Sequence, residues 1–265
     1  MKKSLSPGVL IVGLMLCFAV SGYAQTSPKK ENTWVFLMAG QSNMAGRGLV
    51  EAQDTVTNPR ILTINRENKL IKAREPLHFY QPSLAGLDCG LSFARELLKQ
   101  VGDSITIVMI PTAFGGTSVE QWLGDSLFRA LNLPGNFGEK MMLAKNTGTV
   151  KGILWHQGES NAQDKLIPNY KNNLTKLFSL FRKKAENNAL PIFTGELGSY
   201  SKTQDKWDLI NNEITKYAAS DNNTYVIPTN DFKHKGDFVH FDSEGQRVMG
   251  QRFAEKYIQI CKLKK

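Results

Sequence analysis

The sequence predicts a doubly wound α/β chain, a mostly parallel sheet of about five strands with helices on both faces. Three observations carry this. Short, mainly apolar runs, Trp34 to Ala39, Ile105 to Ile110 and Val150 to Trp155, read as buried strands. Stretches with apolar residues at helical spacing alternate with them. Polar or glycine-bearing clusters follow the strands directly, where sites in parallel sheets collect. No internal repeat or linker interrupts the series, so one domain is expected.

In chain order, Lys2 and Lys3 precede an apolar run from Val9 to Val20, and Gly22-Tyr23-Ala24 supplies small residues where a signal peptidase reads. Residues 1–24 are therefore expected to be a signal peptide and the protein to be exported, periplasmic or extracellular. The run is shorter than the roughly 20 residues of a spanning helix, and Leu16 ahead of Cys17 speaks against lipidation. No membrane anchor is expected after cleavage. Residues 25–31 read as a polar leader and 32–265 as the domain. Removing 24 of the 265 residues leaves 241 and takes the formal charge from +9 to +7. That charge is unfocused: two basic clusters, Lys183-Lys184 and Lys262 with Lys264 and Lys265, fall near helix C-termini. No basic stripe with interleaved aromatics marks a nucleic-acid partner. Cys89 and Cys261 are left, either paired or free. No C-x-x-C, H-E-x-x-H or acidic calcium loop occurs, so no metal is implied.

Strand Trp34 to Ala39 opens the domain and runs into Gly40-Gln41-Ser42-Asn43-Met44-Ala45-Gly46. Ile61 to Asn65 and Leu70 to Ala73 form a hairpin around Arg66 to Lys69, read as an insertion on the rim. A helix with Leu91, Ala94, Leu97 and Leu98 on one face precedes strand Ile105 to Ile110, and Glu139 to Lys145 reads as a short helix. After strand Val150 to Trp155 comes a helix with Tyr170, Leu174, Leu177, Phe178 and Phe181 on one face. Strand Pro191 to Thr194, a helix from about Trp207 to Ala219, strand Thr224 to Ile227 and a helix from Asp242 to Ile260 complete the chain.

A parallel sheet brings four clusters to one edge: Ser42, Gly115-Gly116, His156-Gln157-Gly158-Glu159, and Asp237 with His240. Together they suit acyl transfer by a serine. Ser42 is the candidate nucleophile, His240 its base and Asp237 the group that holds the imidazole in one tautomer. The N–H groups of Ser42 and of Gly115 or Gly116, and the Gln157 amide, are candidate oxyanion donors. The alternative for Asp237 and His240 is capping of the last helix. Asp231 and His234 repeat the same spacing, so spacing does not choose between the pairs, although Lys233 and Lys235 suggest a solvated loop for His234. His78 and His156 read as structural. Gln41, Asn43, Glu159 and Trp122 are candidate substrate contacts: two amides flanking the hydroxyl, a carboxylate with no assigned step, and an indole able to stack on sugar. Trp207 and Tyr200 are weaker candidates for stacking.

The blocks "GQSNMAG", "GGTSVEQW", "WHQGESNA" and "DFVHFDSEGQ", in this order, resemble the sialate O-acetylesterase-like branch of the SGNH hydrolases, which includes the acetylxylan esterases of carbohydrate esterase family 6. The resemblance spans residues 34 to about 255. It implies a flavodoxin-like three-layer α/β/α fold and cofactor-free hydrolysis of O-acetyl esters on an acetylated oligo- or polysaccharide or acetylated sialic acid. It puts the nucleophile on Ser42, the acid and base on Asp237 and His240, and the oxyanion-hole glycine on Gly116, with Gly115 as the near alternative. Gln157 falls where most SGNH hydrolases carry asparagine. Two other readings remain: an esterase of the same fold acting on lipid or small acyl esters, and a non-catalytic glycan-binding module.

Overall fold

The computed structural model describes residues 29–263 together with Met1. Residues 2–24 of the expected signal peptide, residues 25–28 of the leader, and Lys264 and Lys265 lie outside the described residues. Among those described, seven strands form one sheet: β1 (Thr33–Gly40), β2 (Ile61–Ile64), β3 (Leu70–Lys72), β4 (Thr106–Pro111), β5 (Thr149–His156), β6 (Ile192–Gly195) and β7 (Thr224–Ile227). Their order is β3-β2-β4-β1-β5-β6-β7, and every neighbouring pair is parallel except β2 with β3. The five expected strands are β1, β4, β5, β6 and β7, and they lie in the flavodoxin-like order second, first, third, fourth, fifth.

The count of five needs correction. β2 and β3 do pair antiparallel around Arg66 to Lys69, but β2 also pairs in parallel with β4, so the hairpin extends the sheet rather than ornamenting its rim. All four β2 residues are buried. Two covered faces demand a mainly apolar strand; here it is only four residues long, and its one polar member, Thr63, gives its hydroxyl to Met109 O at 2.9 Å.

Seven α-helices among the described residues cover the sheet: α1 (Ser42–Ala45), α2 (Gly90–Leu98), α3 (Val119–Leu123), α4 (Leu133–Thr147), α5 (Tyr170–Ala185), α6 (Gln204–Ala218) and α7 (Ser243–Cys261). The period of two along β1 sends Val35, Leu37 and Ala39 into one core with α3 to α6, and Phe36 and Met38 into the other with α2 and α7. The first core centres on Trp155, whose ring meets those of Trp122, Phe178 and Phe181 edge-on at centroid distances of 5.5 to 5.8 Å. In the second, Phe36 lies edge-on to Phe93 and Tyr257.

Helix α4 begins six residues before the expected Glu139. Asn132 caps it, Oδ1 accepting the Gly135 N–H at 2.7 Å, and Pro134 occupies its first turn. Gly135 and Gly138 obscure the apolar period in sequence. Cys89 and Cys261 are both free, the first buried and the second exposed. No described helix is long and apolar enough to cross a membrane.

The switch in winding direction falls at β1. Strand β4 lies on one side of it and β5 on the other, with Met38 opposite Pro111 and Gly40 opposite His156. The chain leaving β4 stays on β1, through Thr112 N–H to Met38 O at 2.8 Å and Phe114 N–H to Gly40 O at 3.0 Å. Residues 115 and 116 are thereby delivered beside the Ser42 turn.

Candidate active site

At the end of β1 the backbone turns sharply. Gly40 has φ +132°, and a Cβ there would lie 2.1 Å from His156 O, so only glycine fits the approach of β1 to β5. Gln41 N–H donates to His156 O at 2.9 Å, and Ser42 opens α1 with a backbone N–H that has no acceptor among the described residues.

From the other end of the chain, the segment between β7 and α7 brings His240 to Ser42. Nε2 and Ser42 Oγ are 2.9 Å apart, and Nδ1 lies 2.7 Å from Asp237 Oδ2. With Nδ1–H given to the carboxylate, Nε2 is left to accept the serine hydroxyl. Asp237 Oδ1 accepts two backbone N–H groups, from Val239 at 3.0 Å and His240 at 2.8 Å, a turn made possible by the left-handed Phe238 at φ +61°. Burial pushes the Asp237 carboxyl up. The His240 N–H, the imidazole and the Val239 N–H outweigh it and hold the group at about 2.

The competing pair is put to other use. Asp231 binds Arg252 through both oxygens, and His234 Nδ1 accepts the N–H groups of Gly236 and Phe238. Capping of α7 falls to Asp242, whose Oδ1 accepts the Gly245 N–H at 2.7 Å, and not to Asp237 or His240. His78 bonds Asp88 at 2.8 Å, and His156 Nε2 bonds Glu196 O at 2.9 Å; both are buried and serve structure.

An open cleft of about 440 Å³ lies over Ser42 and His240, with Gly116 and Glu159 in its wall. Gly116 has φ +80° and faces open space, and its N–H has no acceptor among the described residues. Gly115 differs: its N–H is given to Gln81 Oε1 at 2.9 Å. Of the two glycines, Gly116 alone has a donor to offer.

The chain matches the carbohydrate esterase, sialic acid-specific acetylesterase family over residues 32–259. It belongs to this family of carboxylic ester hydrolases. A probable carbohydrate esterase of Arabidopsis thaliana, At4g34215, is 26% identical over 243 residues, covering 84% of this chain and 90% of the relative. The crystal structure of that Arabidopsis protein superposes with a TM-score of 0.76 at 25% identity, covering 86% of this chain and 98% of the other. The NanS structure gives 0.69 at 16% identity, covering 88% and 98%, a likeness of fold.

Within this family member, several expected contacts have other work. Gln157 is fully buried and does not reach the cleft. Its Nε2 faces Gln41 Oε1, Thr117 O and Asn161 Oδ1 at 2.7 to 3.1 Å, which leaves no N–H for an oxyanion. Trp122 is buried in the first core with its indole N–H on Thr117 Oγ1 at 3.0 Å, so it offers no face to a sugar. Trp207 is buried as well, and Tyr200 does not line the cleft. Gln41 does line it: Oε1 takes Gln157 Nε2 and the Ser160 N–H, leaving its Nε2 as a donor end.

Asn43 is buried and directed at the protein. Nδ2 donates to Glu159 Oε1 at 2.6 Å and to Val239 O at 3.1 Å, while Oδ1 accepts the Phe241 N–H at 2.9 Å. It positions the His240 segment instead of contacting substrate. Gln246 of α7 holds the Asn43 carbonyl at 2.9 Å. Glu159 supports Asn43 through Oε1, lines the cleft, and keeps a buried Oε2 with no partner among the described residues.

Among the lining residues that sequence reasoning misses are Arg47 and Gln81. Arg47 follows the Ser42 block by one position, and a cation so near the turn was a usable signal. Gln81 lies in an irregular stretch, and only the tertiary fold brings it to Gly115.

Proposed function

We propose that this protein is an exported serine esterase that removes O-acetyl groups from carbohydrates. The observation that carries the reading is the unbroken chain of hydrogen bonds from Ser42 Oγ through His240 to Asp237, at 2.9 and 2.7 Å. In the reaction, Ser42 Oγ attacks the acetyl carbonyl carbon as its proton passes to His240 Nε2. The negative charge on the carbonyl oxygen is taken by the N–H groups of Ser42 and Gly116. Collapse breaks the bond to the sugar oxygen, which receives the proton from His240, and an acetyl group is left on Ser42. Water then attacks the acetyl carbon as His240 takes its proton, and the bond to Ser42 Oγ breaks as His240 returns that proton to the serine, releasing acetate. A missing hole donor typically costs a factor of about 10² to 10³ in rate.

Supporting the carbohydrate reading are the family match over residues 32–259 and a cleft wall rich in hydrogen-bonding groups, Gln41, Glu159, Ser160 and Arg129 among them, with no aromatic platform. Exposed Arg129 and Lys235 on the wall favour an acidic acetylated sugar, such as acetylated sialic acid, over neutral acetylated xylan. Export is supported by Lys2 and Lys3, the apolar run from Val9 to Val20 and the small residues before Gln25.

The test is acetate release from O-acetylated sialic acid and from acetylated xylan, side by side, with the chain from Gln25 onward and a Ser42→Ala control. Faster release from the sialic acid ester, absent in the control, is expected. Equal or faster release from xylan contradicts the acidic-sugar assignment. No release from either, with p-nitrophenyl acetate also untouched, contradicts the esterase.

A further inference from the structure

The Arg47 guanidinium is placed where a cation is costly. The residue is only 9% exposed, and its side chain forms no salt bridge among the described residues. One N–H goes to Gly46 O at 2.6 Å and one to Gln81 Oε1 at 2.7 Å; the others have no acceptor among the described residues. Burial without a counter-ion lowers its pKa. Folds rarely keep a nearly buried, uncompensated charge for stability, because its desolvation is not repaid.

What surrounds this cation is the catalytic cleft. Arg47 lines it with Ser42, Gly115 and Gly116, and a Cβ on Gly115 would stand 2.3 Å from Arg47 Nη2 and 2.6 Å from Gln81 Oε1. Gln81 Oε1 therefore serves two donors, Arg47 Nη2 at 2.7 Å and the Gly115 N–H at 2.9 Å. The shared acceptor fixes the Phe114–Gly115 peptide, one unit ahead of the peptide that carries the Gly116 N–H, and so restricts the direction of that N–H. The positive charge lies against the same turn. Gln157, the side-chain amide expected to complete the hole, is turned away.

We propose that Arg47 and Gln81 form a charged clamp that positions the Gly115-Gly116 turn and makes it electropositive when negative charge develops on the acetyl oxygen. Both are positioning residues of the esterase reaction, and the inference rests on that reading. The clamp acts on the transition state, not on ester binding, and it operates on any acetyl ester whatever the charge of the alcohol. It also accounts for a buried cation kept without a partner, since the opposite charge appears only during turnover.

The test compares wild type, Arg47→Met, Arg47→Lys, Gln81→Leu and the Arg47→Met/Gln81→Leu double variant on neutral p-nitrophenyl acetate and on anionic O-acetylated sialic acid, with melting temperatures for all. Arg47→Met is expected to lower kcat about 10- to 100-fold on both esters with KM changed less than about threefold, while its Tm holds or rises. Arg47→Lys recovers part of the loss. The double variant is expected to lose little more than Arg47→Met alone, because the two residues act as one unit. A loss confined to the sialic acid ester would overturn the proposal and make Arg47 a reader of the substrate carboxylate. A fall in Tm that accompanies the lost activity would reduce it to structural support, and losses that multiply in the double variant would break the clamp into independent parts. A wild type that cleaves neither ester contradicts the esterase reading itself, and the clamp with it.

Discussion

Asn43 grips His240 from both sides: its Nδ2 holds the carbonyl of Val239 at 3.1 Å and its Oδ1 holds the N–H of Phe241 at 2.9 Å. The residue after the proposed nucleophile thus sets the position of the proposed base, which lies nearly two hundred positions away in sequence. Glu159 holds the same amide at 2.6 Å. Asn43→Ala is expected to lower kcat about 10- to 100-fold with a smaller change in KM, and to cost about 1 to 3 kcal/mol by leaving the buried Phe241 N–H unpaired. Steady-state kinetics with a denaturant titration check both. Unchanged kcat would show that His240 is held by Asp237 alone.

Asp237 carries the pH prediction. Its folded value of about 2 lies below the ordinary aspartate value of about 3.9, so its ionised form stabilises the fold above about pH 4, and that contribution fades as pH falls toward 2. The group is more than a third exposed, which keeps the effect small. The Tm difference between wild type and Asp237→Asn should therefore be present at pH 6 and shrink by pH 3. At neutral pH the same variant is expected to lose activity about 10³- to 10⁴-fold while remaining folded, since an amide does not hold the imidazole in the required tautomer.

The two neighbouring glycines should respond differently. Gly116→Ala adds a methyl group to open space at φ +80°, costing about 1 to 2 kcal/mol from backbone strain, and it lowers kcat if the shifted N–H leaves the oxyanion. Gly115→Ala drives a Cβ into Arg47 and Gln81, displacing both side chains. Crystal structures of the two variants, with kcat for each, separate a lost donor from a lost support.

Trp122 and Gln157 are expected to matter for the fold and not for choice of sugar. Trp122→Ala removes a buried ring packed on Trp155, Phe137 and Phe181 and should cost about 3 to 5 kcal/mol. The ratio of rates on acetylated sialic acid and acetylated xylan should stay as in wild type, measured below the melting transition. A changed ratio would return Trp122 to the substrate.

Much of this architecture could be read in advance, for physical reasons that also mark where reading stopped. Strands such as β1 and the second half of β5 are buried on both faces and announce themselves as apolar runs, and their parallel order gathers Ser42, Gly116, Glu159 and His240 at one edge. Spacing alone did not separate His240 from His234; the difference is that Asp231 is taken by Arg252. The roles of Gln157 and Asn43 turn on which way a short amide points, which depends on partners such as Tyr170 and Phe241 that come from distant elements. Trp122 illustrates the same limit: a tryptophan in a site motif packs inward as readily as outward. The β2 strand was visible as a hairpin arm, but its parallel pairing with β4 is a tertiary fact.

The central claim is that Ser42 carries the acetyl group between the two halves of the reaction. The most direct measurement is peptide mass spectrometry of protein quenched in acid within the first turnovers on p-nitrophenyl acetate, with Ser42→Ala beside it. An acetyl group on the peptide that contains Ser42, absent from the variant together with turnover, is the predicted result. Acetylation at another residue with activity retained in Ser42→Ala would contradict the account.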